Sequence, residues 1–214
     1  MVILENEFFS KDTLEVAKDL LGKVIFHKYN SIWLSVQIIE TEAYLIEEKG
    51  SHASLGFTKK RKALFMPPGT IYMYYSRGKD SFNISTGKKG DAVLIKSGIP
   101  FLHNSGSEML EVMKDLNPIN GRKRKSERLC SGQTLLCKSL NIKVKEWDQK
   151  HFDSSKLFIA DVGYTPKKVV EAARLGIPKG RDEHLLYRYI DYDHVKSCTK
   201  NPINPINKKL QLAT

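Results

Sequence analysis

Two carboxylates and a tyrosine stand at alternate positions in Ile39-Glu-Thr-Glu-Ala-Tyr44. Residues two apart on an extended strand share a face, so Glu40, Glu42 and Tyr44 are expected to point the same way. The approach, Val36-Gln-Ile-Ile39, is apolar. A carboxylate on such ground holds its proton more tightly and can act as general base toward water. A Glu-x-Glu pair also suits a divalent cation, or a solvated strand face paired with lysines, and spacing leaves these open. A second group is aromatic: Tyr72, Tyr74 and Tyr75 in Thr70-Ile-Tyr-Met-Tyr-Tyr-Ser-Arg77, with Tyr72 and Tyr74 on one face. Rings beside cations form a platform for unstacked bases, each stack worth roughly 1 to 3 kcal/mol, although tyrosines also cover core edges. His52, in Gly50-Ser-His-Ala53, is either a solvated loop histidine or a member of the same site.

The charge balance says what such a site could meet. Among 214 residues, 35 Lys+Arg against 24 Asp+Glu leave a formal charge of +11, and residues 1–58 are net acidic, so the surplus lies beyond them. Lys59-Lys60-Arg61-Lys62 and the run from Arg122 to Arg128 are two cationic patches suited to phosphate contacts that orient a nucleic acid without reading its sequence. No Cys/His metal spacing, P-loop or dinucleotide glycine fingerprint is present, so no nucleotide cofactor is expected. Cys130, Cys137 and Cys198 read as buried reduced thiols. No run approaches the ~20 apolar residues of a membrane span, and the first residues lack a secretory pattern, so a soluble, cytoplasmic protein is expected.

The elements that must position these groups form one domain. Residues 11–22 have helical periodicity, with Ser10 as expected N-cap and Gly22 as stop. Residues 23–29 and 32–44 flank an Asn30-Ser31 turn and read as a hairpin. Residues 45–69 form a loop-rich excursion. Strands are expected over 70–76, 81–86, 92–96, 157–162, 169–175 and 185–192, and helices over 107–116 and 133–140. The fold class is α+β: a single domain over 1–195 with a mainly antiparallel sheet and flanking helices, followed by a mobile tail over 196–214.

Several segments together resemble the alkyladenine (3-methyladenine) DNA glycosylases: Ile38-Ile-Glu-Thr-Glu-Ala-Tyr-Leu45, Ser51-His-Ala53, Phe65-Met-Pro-Pro-Gly-Thr-Ile-Tyr-Met-Tyr74, Asn83-Ile84, Ala92-Val-Leu-Ile95, Leu129-Cys-Ser-Gly132 and Ala173-Arg-Leu-Gly-Ile177. The resemblance spans roughly residues 5–192 and implies a curved sheet similar to the C-terminal barrel of formyltransferases. It implies a monofunctional enzyme of base excision repair, a monomer on double-stranded DNA, that flips alkylated purines and hydrolyses their glycosidic bond. Glu42 is then the general base and Glu40 is structural. Tyr44 and Tyr74 sandwich the flipped base, with His52 beside them, Tyr72 at the pocket edge and Asn83 meeting the purine edge. A base must leave the stack before its sugar bond can be reached. An alkylated purine is cationic, suits electron-rich rings and leaves easily, so the resemblance implies that water and one carboxylate suffice, with no cofactor, no metal and no Schiff-base lysine.

Two positions depart from the family. Arg77 stands where the family carries an aromatic wedge, followed by Gly78-Lys79-Asp80 with one residue fewer than usual. A guanidinium can stack and contact phosphate, but it is a softer plug. Lys96 replaces an arginine, keeping the charge for a phosphate contact and losing the bidentate fork. Lys59, Lys60 and Arg61 complete the expected DNA surface. Two other readings use the same residues: a non-catalytic single-strand nucleic-acid-binding module built on the tyrosines and basic patches, and a metal-dependent nuclease built on Glu40, Glu42 and Asp80.

Overall fold

The structure is a computed structural model that describes residues 1–103 and 106–203. Nine strands form one antiparallel sheet: β1 (Val2–Ile3), β2 (Val24–Tyr29), β3 (Ile32–Tyr44), β4 (Ile71–Ser76), β5 (Lys79–Ser85), β6 (Ala92–Pro100), β7 (Leu157–Asp161), β8 (Val169–Ala172) and β9 (Arg188–Asp191). The order is β1-β7-β2-β3-β6-β5-β4, and β9 pairs with both β3 and β8. Among the described residues five α-helices accompany the sheet: α1 (Asn6–Phe9), α2 (Thr13–Asp19), α3 (Gly106–Leu116), α4 (Gln133–Leu140) and α5 (Val144–Trp147). The expected α+β class and antiparallel sheet are therefore present.

β3 organises the molecule. Its first half pairs with β2 through the expected turn, Tyr29 opposite Ile32, where Asn30 takes the left-handed conformation (φ 54). Further along, β2 gives way to β9 on the same edge, from Glu40 opposite Ile190 to Glu42 opposite Arg188. The other edge is occupied by β6. Flanked on both edges and covered on both faces, β3 is buried from Leu34 to Ala43. Leu20 and Leu21 after α2, Met109 and Met113 of α3, and Leu136 and Leu140 of α4 join Leu34, Val36 and Ile38 in the main core. Each such side chain contributes about 1.5 to 3 kcal/mol on burial. A smaller cluster of Ala53, Ala63, Leu64, Tyr72 and Ala92 seats the 45–69 excursion, part of which forms two 3-10 segments, Ala53–Leu55 and Lys59–Phe65.

Local chemistry corrects some boundaries. α2 is capped by Asp12, whose carboxylate accepts from the backbone N–H of Leu14 and Glu15, and not by Ser10. Ser10 closes α1, its hydroxyl donating to the Asn6 carbonyl (2.9 Å). Gly22 does end the segment: at φ +85 it packs so close to Tyr164 that a Cβ would lie 2.5 Å from that ring. The strand expected over 169–175 stops at Ala172, which leaves Arg174 and Leu175 on a loop. The tail expected from 196 begins inside the packed structure. Cys198 is buried, and the Thr199 N–H donates to Glu40 while the Lys200 carbonyl accepts from Arg188. Residues 204–214 of that tail lie outside the described residues. All three cysteines are free and buried.

Candidate active site

A cavity of about 820 Å³ opens between the end of β3, the β4–β5 hairpin, the excursion and the loops around residues 131–133 and 175–178. Tyr44, His52, Tyr72, Tyr74 and Asn83 all line it. Strand alternation places Tyr72 and Tyr74 on one face of β4, where their rings stack at 5.5 Å and 28°. His52 packs edge-on against Tyr74 (4.6 Å, 66°), with its Nδ1 3.0 Å from the Tyr72 hydroxyl. Asn83, opposite Tyr72 on β5, donates its amide to the Tyr72 carbonyl (3.1 Å), which fixes its plane against the cavity wall. Tyr44 lines the same cavity from β3. Its back is covered by Arg174, whose guanidinium lies 4.6 Å from the ring centroid and donates to the Ala43 carbonyl and to Glu48.

These groups carry no charge near neutrality. Burial, and for Tyr44 also the neighbouring Glu42 carboxylate, pushes the Tyr44, Tyr72 and Tyr74 hydroxyls up, so they remain protonated donors. Burial lowers the His52 pKa, and Arg61 and Arg181 lower it further, so its ring is neutral although one edge is exposed. A pocket of neutral π-faces suits a flat cationic guest.

Glu42 lies beneath this wall with no exposed surface. Its Oε2 accepts from the Tyr44 hydroxyl (2.8 Å) and from Lys96 Nζ (3.3 Å), and its Oε1 from the Leu175 N–H (3.1 Å). All three donors line the cavity. The Lys96 contact is the longest of the three. Lys96 reaches this place because β6 is irregular. The ladder runs from Glu40 opposite Ser97 to Thr41 opposite Ile95, so Lys96 has no partner residue on β3. Bulges re-aim side chains in this way beside functional sites. Lys96, expected to contact DNA phosphate, is buried, paired with Glu42 and held by Gln133 Oε1 at 3.2 Å.

The same irregularity separates the two carboxylates. Glu40 does not join Glu42 at the cavity; it accepts from Arg188 Nε (2.7 Å), the Thr199 N–H (2.8 Å) and the Ser97 hydroxyl. Asp80 is elsewhere, accepting from the Val144 N–H at the start of α5 (2.8 Å). No cluster of three metal-ligating side chains forms among the described residues, so the Glu40–Glu42–Asp80 arrangement of the nuclease reading is absent from them. Lys59 and Lys60 are exposed on the excursion, while Arg61 is partly committed to its own loop through the His52 carbonyl (3.0 Å). Arg77 stands exposed at the cavity rim in a two-residue turn, with positive φ at Arg77 (51) and Gly78 (75). That is the pattern of a type I′ hairpin. In the second basic run, Lys123 is neutralised by Glu111 and Asp115.

Sequence reasoning missed Gln133, Leu175, Arg174 and Arg181. The first two contact the Glu42–Lys96 pair directly, Arg174 backs Tyr44, and Arg181 lines the cavity. The signal was present in Leu129-Cys-Ser-Gly132 and Ala173-Arg-Leu-Gly-Ile177, two motifs that carried no role until the fold brought them to Glu42. Gly132 opens α4 without a side-chain cap, so that helix end gives the adjoining wall positive character.

A buried carboxylate under an aromatic cavity, on a basic antiparallel α+β domain, fits an enzyme that works on nucleic acid. Comparison with known proteins gives the family. Residues 7–195 match the methylpurine-DNA glycosylase family. The chain is 58% identical over 202 residues to a protein of Pseudomonas aeruginosa, covering 94% of this chain and 84% of the relative. A protein of Pseudomonas syringae pv. tomato is 52% identical over 202 residues, covering 94% and 91%. One from Clostridium botulinum is 34% identical over 198 residues, covering 89% and 96%. All three are provisionally named as 3-methyladenine DNA glycosylases. The chain belongs to the methylpurine-DNA glycosylase family, whose members are hydrolases of N-glycosyl bonds acting on DNA. None of its described helices is long and apolar enough to cross a membrane.

Proposed function

We propose that this enzyme flips 3-methyladenine and related alkylated purines out of duplex DNA and hydrolyses their glycosidic bond, with Glu42 as the general base. The observation that carries the reading is Glu42 itself, fully buried yet bonded only to groups that line the aromatic cavity. The flipped base lies between Tyr44 and Tyr74, against His52 and Asn83, with Tyr72 behind Tyr74. As the nucleotide enters, Lys96 shifts from Glu42 and opens a place for water beside the carboxylate. Glu42 takes the proton of that water as its oxygen attacks the sugar C1′, and the cationic purine departs as a neutral molecule. General base catalysis of this kind contributes about 10² to 10⁴ in rate. Lys59, Lys60 and Arg77 meet the phosphates, and Arg77 fills the gap left in the stack. The enzyme acts as a cytoplasmic monomer.

The test is release of free 3-methyladenine from methylated duplex DNA, in EDTA, by the wild-type protein and by Glu42→Gln. Release by the wild type that falls at least about a hundredfold in the variant, with lesion-DNA binding retained, supports the reading. Lesion binding with no release by either protein would return the chain to the non-catalytic binding module.

A further inference from the structure

Of the Glu42–Lys96 ion pair, Lys96 lines the cavity and Glu42 does not. Lys96 Nζ stands there 3.3 Å from Glu42 and 3.2 Å from Gln133, while Glu42 itself is covered. The product of glycosidic hydrolysis is a sugar whose C1′ opens to an aldehyde, and a primary amine beside an aldehyde forms an imine. An arginine could not do this at any accessible pH, because its guanidinium does not give up a proton. We propose that Lys96 is a second nucleophile of this site, giving the enzyme a lyase activity on the abasic product.

This inference rests on the proposed excision for the source of the abasic sugar, and its chemistry balances within the site. Glu42, having shed the proton taken from water, receives one from the Lys96 ammonium. The free amine adds to C1′, and the carbinolamine oxygen leaves as water with that proton, so one C–N bond forms, one C–O bond breaks and an iminium remains. Glu42 then removes a proton from C2′. The electron pair moves toward the iminium, the C3′–O bond breaks, and the downstream strand departs with a 5′-phosphate. Water hydrolyses the iminium, freeing Lys96 and leaving an unsaturated aldehyde on the upstream strand. No oxidant, metal or further reactant is required. Gln133 Oε1 gives the Nζ a second anchor, so the amine stays at the cavity wall when its contact with Glu42 loosens.

The experiment incubates the full chain with a duplex carrying one abasic site, in EDTA, with sodium borohydride to reduce any iminium to a stable amine. Free-base release from methylated duplex is measured on the same preparation. The expected result is a covalent protein–DNA adduct whose cross-linked peptide contains Lys96, with strand scission above the protein-free control when borohydride is omitted. In Lys96→Arg, binding of the abasic duplex, measured separately, should persist while the adduct is lost. No adduct from the wild type, or an adduct mapped to Met1 or to another lysine, overturns the proposal. Absence of free-base release overturns the excision reading on its own, whatever the adduct result.

Discussion

Glu40 and Glu42 are two residues apart on β3, both fully buried, and they serve two different regions. Around Glu40 the side-chain partners stand away from the cavity: Arg188 from β9 and Ser97 from β6, with the backbone N–H of the cavity-lining Thr199, close a knot that fastens the end of the described chain to the sheet. Around Glu42 every partner is a cavity-lining group with a face toward a guest. Burial alone therefore does not mark a catalytic carboxylate. The distinction lies in how many of its hydrogen-bond donors border an open space: all three for Glu42, and Thr199 alone for Glu40. A one-residue irregularity in β6 creates the difference, because it sends Ser97 to one carboxylate and Lys96 to the other.

The sharpest way to break this comparison is to remove the knot. Arg188→Ala leaves Glu40 a buried, uncompensated charge, a change that costs about 3 to 5 kcal/mol. Urea unfolding should show that loss, while the excision rate per folded molecule changes much less. An unaltered midpoint would mean that the Glu40 region does not hold the fold.

A smaller effect is expected at the platform. Tyr74→Ala removes a stacking face worth roughly 1 to 3 kcal/mol, whereas Tyr74→Phe keeps the ring. Single-turnover excision should fall by about tenfold to a hundredfold in the first and stay near wild type in the second. Equal behaviour of the two in folded protein would place Tyr74 among the core-edge residues.

At the rim the change is smaller still. If Arg77 fills the vacated stack, Arg77→Ala weakens binding to an abasic-analogue duplex selectively, and Arg77→Tyr restores it. If it only meets phosphate, lesion and undamaged duplexes weaken alike, and the salt dependence falls by about one unit. A titration of both duplexes across a salt series decides between them.

The smallest effect is that of His52. Its folded-state pKa lies below the ordinary value of about 6.5, so in the window between the two the unfolded chain binds more protons and stability falls as pH drops. Protonation also sets a new cation against a cationic base, so excision should decline through the same window. His52→Gln should flatten that limb by a few fold. Superimposable pH profiles would remove His52 from contact with the guest.

Much of this was legible in the sequence because it is local. The Asn30-Ser31 hairpin, the alternation of Tyr72 and Tyr74, and the helix at 133–140 each follow from a few adjacent residues. Glu42 and Tyr44 were legible as a pair for the same reason: they are neighbours on one face of one strand, bonded hydroxyl to carboxylate. What was not legible depends on long-range closure. Glu40 meets Arg188 across 148 positions, and Glu42 meets Leu175 across 133. Lys96 owes its direction to a ladder irregularity that no alternation pattern records. The misplaced cap of α2 has a different cause: Ser10 and Asp12 are both good caps, and only the backbone path between α1 and α2 chooses.

The most direct measurement compares Glu42→Gln and Glu40→Gln side by side, each with single-turnover release of free 3-methyladenine and urea unfolding. Glu42→Gln should lose about 10² to 10⁴ in excision with a modest change in stability, and Glu40→Gln the reverse, a clear stability loss with excision largely kept per folded molecule. Excision abolished by Glu40→Gln and spared by Glu42→Gln, or equal profiles for both, would contradict the division of labour between the two carboxylates.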